Sequence, residues 1–339
     1  MRSRHVLLAT LIAALWGFNF VPIHRALDDL SPLLMAALRF VLAAVPAVFL
    51  VRRPPVPVRW LVLVGLPLGV GQFGLLFIGM DMGMPAGLAS VVLQVQAIFT
   101  ALFAGLLLRE RLGVRQVAGM AVAFGGVTLL GVAQAEGGSP VGAFLVCLMA
   151  AASWGLANVA MKRMNQAATG PVPCGGRPPT PPGKSRPARL PPLRWRSAPG
   201  SGPVEPFGFM VWVSLVPPLP LLGLSLIFEG PGAVPDAARD LSLAGLGSMA
   251  FIAYVSTLFG FGVWGWLMRR YEASTVAMYS LLVPPFGLVS AGLLLGEHVD
   301  AVRLTAAALI IAGVAAGSVR PRSRVEIPPV AEPEPVETR

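Results

Sequence analysis

Charged residues are scarce in this chain. Only 12% of its 339 residues are Asp, Glu, Lys or Arg, whereas 55% are hydrophobic and the mean hydropathy is +0.73. A soluble domain normally carries about 25% charge, so the composition excludes a water-soluble globule. It also excludes a wholly disordered chain, because such chains are rich in charge and poor in apolar residues. The composition therefore indicates an integral membrane protein.

Cysteine and histidine are also rare, at two and three residues. Cys147 lies in an apolar run and Cys174 in a proline-rich stretch, and neither has a partner at disulfide or metal-ligand spacing. No glycine-rich phosphate loop precedes a lysine, which argues against ATP as the energy source. No carboxylates or histidines cluster within the apolar runs, as a membrane-embedded enzyme would require. The sequence therefore predicts no enzyme activity, no catalytic residue, no cofactor and no metal.

Long apolar runs make up most of the chain. A membrane helix needs about 20 apolar residues, and division at charged or Pro/Gly clusters gives ten such runs. The runs are continuous rather than alternating, which favours an all-α membrane protein over a barrel. The first run resembles a signal peptide, but equally apolar runs follow it, so it is more simply the first helix. The predicted spans are 6–24, 32–51, 60–80, 86–108, 116–134, 141–161, 207–228, 243–268, 275–295 and 302–319.

The basic residues fall between these runs on alternate sides. If the N-terminus is cytoplasmic, 22 of the 26 lysines and arginines lie on the cytoplasmic side and 3 on the outside. The outer segments are instead acidic. The positive-inside rule therefore predicts cytoplasmic N- and C-termini in a multi-pass protein of a bacterial-type inner membrane.

Two short motifs recur in the second half of the chain. Each contains the same residue types in nearly the same order, and each lies at a corresponding point of its half. The pairs are Ala13–Gly17 followed by Asn19 with Ala151–Gly155 followed by Asn158, and Gly105–Leu108 before Glu110 with Gly292–Leu295 before Glu297.

Five spans in each half is an odd number, so the second copy lies upside down in the membrane. This predicts two inverted five-helix repeats, residues 5–135 and 141–319, with a substrate site near the midplane between them. The alternative is that Ala/Trp/Gly and Gly/Leu strings recur by chance in apolar sequence. Trp16 and Trp154, at matched positions, either line a cavity or simply pack.

A longer series of motifs runs through both halves in a fixed order. These are Trp16–Val21, Leu38–Phe40, Gly71–Phe73, Gly83–Ser90 with Leu93 and Gln94, Gly262–Gly265, Arg270–Glu272 and Ser280–Pro284. In this series the chain resembles the EamA family of the drug/metabolite transporter superfamily. The later motifs are similar to the branch of O-acetylserine/cysteine exporters.

The resemblance implies ten transmembrane helices in two inverted repeats and export of small metabolites from the cytoplasm by alternating access. The branch implies amino-acid-like substrates such as cysteine and O-acetylserine. Export of drugs or other amino acids, a membrane-embedded enzyme and a structural subunit are the alternatives. The expected partners are a small-molecule substrate and membrane lipid, with a possible homodimer and no nucleic acid.

One stretch departs from the family pattern. Residues 168–206 are packed with proline, glycine and arginine, a composition that predicts a disordered cytoplasmic linker interrupting the second repeat. The linker is either a natural flexible insertion or the product of a compensated reading-frame shift. Residues 320–339 are predicted to form a disordered cytoplasmic tail.

Arg39 is the only arginine deep within a run, about eight residues, or about 12 Å, from the outer end of its helix. An intramembrane charge is a functional candidate because it is costly without a partner. A guanidinium there could bind a substrate carboxylate with two hydrogen bonds. The alternative is a structural role, in which Arg39 pairs with backbone carbonyls or extends its charged end to the membrane surface.

Uncharged polar side chains within the runs form the rest of the predicted substrate site. Their donors and acceptors suit a zwitterion, although any of them could instead form an interhelical hydrogen bond. The favoured contacts besides Arg39 are Asn19, Gln72, Gln94, Asn158 and Tyr279, with Gln96, Tyr254, Ser256, Thr257 and Ser280 as weaker candidates. No Asp or Glu lies deep in a run, so facilitated efflux, exchange and proton antiport all stay open.

Overall fold

The computed structural model describes residues 1–110, 112–136, 140–168, 205–271, 275–276, 278–298 and 300–318. The predicted linker 168–206 lies outside these residues except at its two ends, and the predicted tail 320–339 lies wholly outside them. Within the described ranges all regular structure is helical and there is no strand, which confirms the all-α prediction.

The apolar runs form helices that overlap the predicted spans. In chain order these are α1 (Ser3–Leu27), α2 (Pro32–Val48), α3 (Val58–Asp81), α4 (Ala86–Leu108), α5 (Val114–Glu136), α6 (Val141–Ala168), α7 (Pro206–Phe228), α8 (Leu243–Arg270), α9 (Met278–Leu295) and α10 (Ala301–Ser318). Eight are long and apolar enough to cross a membrane, whereas α2 and α10 are shorter apolar helices. A short helix, Ala233–Asp240, connects α7 to α8.

Several helices depart from regular α geometry near their middles. Helix α3 widens into π turns over Leu66–Gly74, where Pro67 lacks the N–H of a normal turn, and α8 does so over Phe251–Phe259. In α8 the Thr257 hydroxyl donates to the carbonyl of Ile252, five residues earlier, at 2.8 Å. Helix α1 is divided at Asn19 into two α-helical segments. Such irregular turns within membrane helices place polar backbone and side chains inside the bundle.

The helices pack mostly in pairs drawn from opposite halves of the chain. Helix α2 lies against α7, α4 against α9, and α5 against α10. Helix α1 packs against both α8 and α9, while α6 packs against both α3 and α4. The main apolar core lies between these helices, with Leu34, Phe77, Leu130 and Ile252 among its fully buried side chains.

Candidate functional site

Three helices meet at the wide-turn segment of α8. The indole Nε1 of Trp16, on α1, donates to the carbonyl oxygen of Ser256 at 3.0 Å. The Nη2 of Arg39, on α2, donates to the hydroxyl of Thr257 at 3.1 Å. Trp16, Arg39 and Thr257 therefore bring α1, α2 and α8 together at adjacent residues of one irregular turn. We call this region the Arg39 site.

Two phenylalanine rings cover the guanidinium of Arg39. Its Cζ lies 3.5 Å from the ring centroid of Phe73, on α3, and 4.8 Å from that of Phe40. An arginine over an aromatic face is attracted by the negative potential of the ring, more strongly where water is excluded. The rings stabilise the cation and direct it without using its hydrogen-bond donors.

Arg39 has no counter-charge among the described residues. Its side chain is buried, with the residue 3% exposed, and neither Nε nor Nη1 has a hydrogen-bond partner there. None of the ion pairs found between described residues includes it. A buried charge is costly unless it is paired and hydrogen-bonded. The Arg39 site therefore combines a positive charge with two spare donors, an arrangement that suits an anion.

Two further predicted contacts, Asn19 and Gln72, carry buried amide oxygens. Asn19, at the division of α1, lies one turn beyond Trp16, and Gln72 immediately precedes Phe73 in the wide-turn segment of α3. The residues are 8% and 3% exposed, yet Asn19 Oδ1 and Gln72 Oε1 have no partner among the described residues. Free amide oxygens accept hydrogen bonds from hydroxyl or ammonium groups. Asn19, Arg39 and Gln72 are the predicted contacts whose polar atoms are left available.

The side chains of Asn158 and Gln94 form hydrogen bonds away from the Arg39 site. The Nδ2 of Asn158, on α6, donates to Gln96 Oε1 at 2.7 Å and to Thr100 Oγ1 at 3.1 Å, both on α4. The Nε2 of Gln94 donates to the carbonyl of Ser280 at 2.9 Å, which connects α4 to the start of α9. These predicted residues do come together with other polar groups, but the contacts join helices and do not involve the Arg39 site.

The two predicted tyrosines lie apart from the Arg39 site. Tyr254 is 43% exposed on the surface of α8. Tyr279 is half-buried against a separate apolar cluster of Ala9, Leu267 and Val276. Sequence reasoning missed the aromatic cover formed by Phe40 and Phe73, although both stand beside predicted polar residues in the chain. The sequence signal that could have identified these two rings is their position, since Phe40 directly follows Arg39 and Phe73 directly follows Gln72.

Within the part of the chain that the structure describes, no three His, Cys, Asp or Glu residues are grouped so that they could hold a metal ion. The polar side-chain groups of the Arg39 site are the indole N–H of Trp16, the guanidinium of Arg39 and the hydroxyl of Thr257. A guanidinium donates charge-assisted hydrogen bonds of the kind that carboxylates accept.

Comparison with known proteins identifies the relatives of this fold. The EamA-like transporter family matches residues 3–132 and 200–318. A "Probable amino-acid metabolite efflux pump" of Salmonella typhimurium is 38% identical, over 93% of this chain and 94% of its own. A protein of the same description from Escherichia coli is 36% identical over the same shares.

Two further relatives are more distant. A "Probable terminal-alkyne amino-acid exporter" of Streptantibioticus cattleyicolor is 28% identical over 92% of each chain. One solved crystal structure matches with a TM-score of 0.53 at 18% identity, covering 94% of this chain and 98% of its own. At that identity the structural likeness supports the fold alone.

Proposed function

Because the chain belongs to the EamA-like transporter family, we propose that it exports small amino-acid-like metabolites across the inner membrane by alternating access. The chain is a multi-pass membrane transporter, as its eight long apolar helices and its relatives show. The names of the two efflux pumps and of the exporter above support an amino-acid-like substrate. The observation that carries the proposal is the buried guanidinium of Arg39, which has no ion-pair partner among the described residues.

In this proposal the substrate supplies the charge that Arg39 lacks. The carboxylate accepts from one of the two free donors, Nε and Nη1, which lie on opposite edges of the guanidinium, while Thr257 and Phe73 hold the guanidinium in place. The amide oxygens of Asn19 and Gln72 accept from the amino group. Gln94, Asn158 and Tyr279 stay predicted contacts, and the first two already join helices.

We propose further that the helices form ten spans in two inverted repeats, in which helix n of the first half corresponds to helix n+5 of the second. The pairings support this. Helices α2 and α7, α4 and α9, and α5 and α10 are each other's counterparts and pack together. The contact of α1 with α9 has its counterpart in that of α6 with α4. The possible homodimer stays a prediction.

Departures from regular α-helical backbone occur at corresponding places in the two halves. The wide-turn segments Leu66–Gly74 and Phe251–Phe259 occupy α3 and α8. Narrow 3-10 turns occur at Leu93–Val95 in α4 and at Met278–Leu282 where α9 begins. Helices α4 and α9 both end on left-handed residues, Arg109 with φ 55° and Gly296 with φ 68°.

Close helix contacts recur as well. A Cβ added to Gly17 would lie 2.6 Å from Phe286 Cβ and 2.8 Å from the backbone nitrogen of Gly287. A Cβ added to Gly155 would lie 2.7 Å from Phe99 Cβ and 2.9 Å from the nitrogen of Thr100. The repeated Gly-Leu-Leu-Leu motif aligns Phe99 with Phe286. The contact of Gly17 with Phe286 and the contact of Gly155 with Phe99 therefore occupy equivalent positions when helix n is paired with helix n+5.

The experiment that tests the function is export from intact cells. Cells that overproduce the chain should accumulate extracellular cysteine and O-acetylserine faster than cells with an empty vector, by roughly the fold-increase in transporter abundance. A matched form lacking residues 170–204 should export equally, because long loops add little closure entropy. Normal membrane abundance of both forms without any increase in export would contradict the proposed substrate class.

A further inference from the structure

Among the described residues, three carboxylates connect the halves of the bundle at one face. Asp29, after α1, accepts from the backbone nitrogen of Ser242, before α8, at 3.0 Å, and two glutamates cap helix starts. Glu229, where α7 ends, accepts from the backbone nitrogens of Leu33 and Leu34 at 2.6 and 3.2 Å. Glu297, directly after α9, accepts from those of Ala86 and Gly87 at 2.6 and 2.9 Å. We call these the Glu229 clasp on α2 and the Glu297 clasp on α4.

Both clasps use the unsatisfied N–H groups at the start of a helix. A carboxylate there is stabilised by charge-assisted hydrogen bonds and by the positive end of the helix dipole. Glu229 accepts more hydrogen bonds than Glu297. Ser31 Oγ, before α2, and Ser225 Oγ, on α7, also donate to its Oε2 at 2.7 and 2.6 Å. Each clasp therefore ties a helix of the second half to a helix of the first.

At the opposite face, the described residues include no carboxylate that joins the two halves at a helix start. Glu110 is the counterpart of Glu297 in the repeated motif, but it lies at the other end of the bundle. It accepts from Lys162 Nζ, on α6, at 2.6 Å, and the two side chains are 36% and 37% exposed. Exposed ion pairs contribute little to stability. At that face Glu205 caps the start of its own helix, α7, and forms a second exposed ion pair, with Arg269 on α8. Both contacts of Glu205 stay within the second half, so they do not join the halves as the Glu229 and Glu297 clasps do.

We infer that the Glu229 and Glu297 clasps together are the gate that closes the outer face, and that both must release for the substrate site to open outward. This inference rests on the proposed transport function and on the predicted cytoplasmic termini, which place both clasps at the outer face. The clasps join α7 to α2 and α9 to α4, two of the helix pairs that cross between the two halves. Separating the repeats at this face breaks both clasps, while the Glu110 pair at the other face can persist.

A reporter cysteine behind the gate tests this inference. Ser90, on α4 one turn inward from Gly87, is 1% exposed and suits a conservative Ser90→Cys change after Cys147→Ala and Cys174→Ser. Its reaction with a membrane-impermeant thiol reagent is measured in spheroplasts and in inverted vesicles. Adding Glu229→Gln and Glu297→Gln should speed labelling in spheroplasts at least about tenfold, because each clasp loses a charge-assisted hydrogen bond. The matched variant Glu110→Gln should leave that rate unchanged.

Unchanged labelling of the double-glutamine protein in spheroplasts would overturn the inference, and so would an increase seen only in inverted vesicles. The labelling needs no substrate, so a wrong substrate assignment does not alter its outcome. A second test avoids the glutamine variants. Ser31→Cys and Ser225→Cys, joined by a short reversible bifunctional thiol reagent, should block export until a reductant is added. Undiminished export by the cross-linked protein would also overturn the gate.

Discussion

Replacing Arg39 with glutamine is expected to reduce export about 100-fold or more while the protein still folds into the membrane. Removing one partner of a buried, hydrogen-bonded charge pair costs about 2–5 kcal/mol in binding, and about 2.7 kcal/mol corresponds to 100-fold. Arg39→Lys should retain a small part of the activity, since an ammonium keeps the charge but loses the planar pair of donors. Export is measured against membrane abundance.

The same variant distinguishes a substrate role for Arg39 from a structural one. Arg39 is a buried cation without a counter-charge among the described residues, so Arg39→Gln should leave the thermal stability of the purified protein unchanged or raise it. The matched control is Arg239→Gln, because the Arg239 side chain is 77% exposed. It should change neither export nor stability. A large loss of stability in Arg39→Gln would show that the residue is structural.

Adding one methyl group at Gly17 or at Gly155 should destabilise the bundle by about 1–3 kcal/mol in each case. The added Cβ atoms would lie 2.6 and 2.7 Å from other helices, and several of the neighbouring atoms belong to the backbone, which cannot move aside. Thermal unfolding of the detergent-solubilised alanine variants measures the effect.

Gly125 provides the matched control, since a Cβ there would meet nothing within 4 Å. Gly125→Ala should leave stability unchanged or raise it slightly, because alanine favours helix over glycine. Similar losses at Gly17 and Gly155 are expected if the halves are related by an inverted repeat. A loss at only one of them would argue against equivalent contacts.

The helices could be predicted because the hydrocarbon core of a membrane offers the backbone no hydrogen-bond partners. Apolar runs of about 20 residues must satisfy their own backbone hydrogen bonds in lipid, so they form helices whatever their neighbours. The wide turns could not be predicted in the same way. The turn in α8 contains a hydrogen bond from the Thr257 side chain to the carbonyl of Ile252, and the one in α3 contains Pro67. Local sequence allows these turns but does not require them.

The sequence predicts which polar residues are buried in the bundle, but it does not predict their hydrogen-bond partners. A polar side chain in an apolar run indicates burial in the bundle, and Asn19, Arg39 and Gln72 are indeed buried. The pattern does not distinguish a free polar atom from one bonded to another helix, as Asn158 is bonded to Gln96. The repeated Glu110 and Glu297 were equally visible, but only the fold shows that one forms an ion pair and the other caps a helix.

The most direct test of a carboxylate site at Arg39 is calorimetric binding to the purified, full-length protein. An amino acid that the cells export is compared with its carboxamide, which differs at the group assigned to Arg39. The wild-type protein should bind the carboxylate at least about tenfold more tightly, and Arg39→Gln should abolish that preference. Equal binding of the two ligands by the wild type, or an undiminished preference in Arg39→Gln, would contradict the assignment of Arg39 as the substrate anchor.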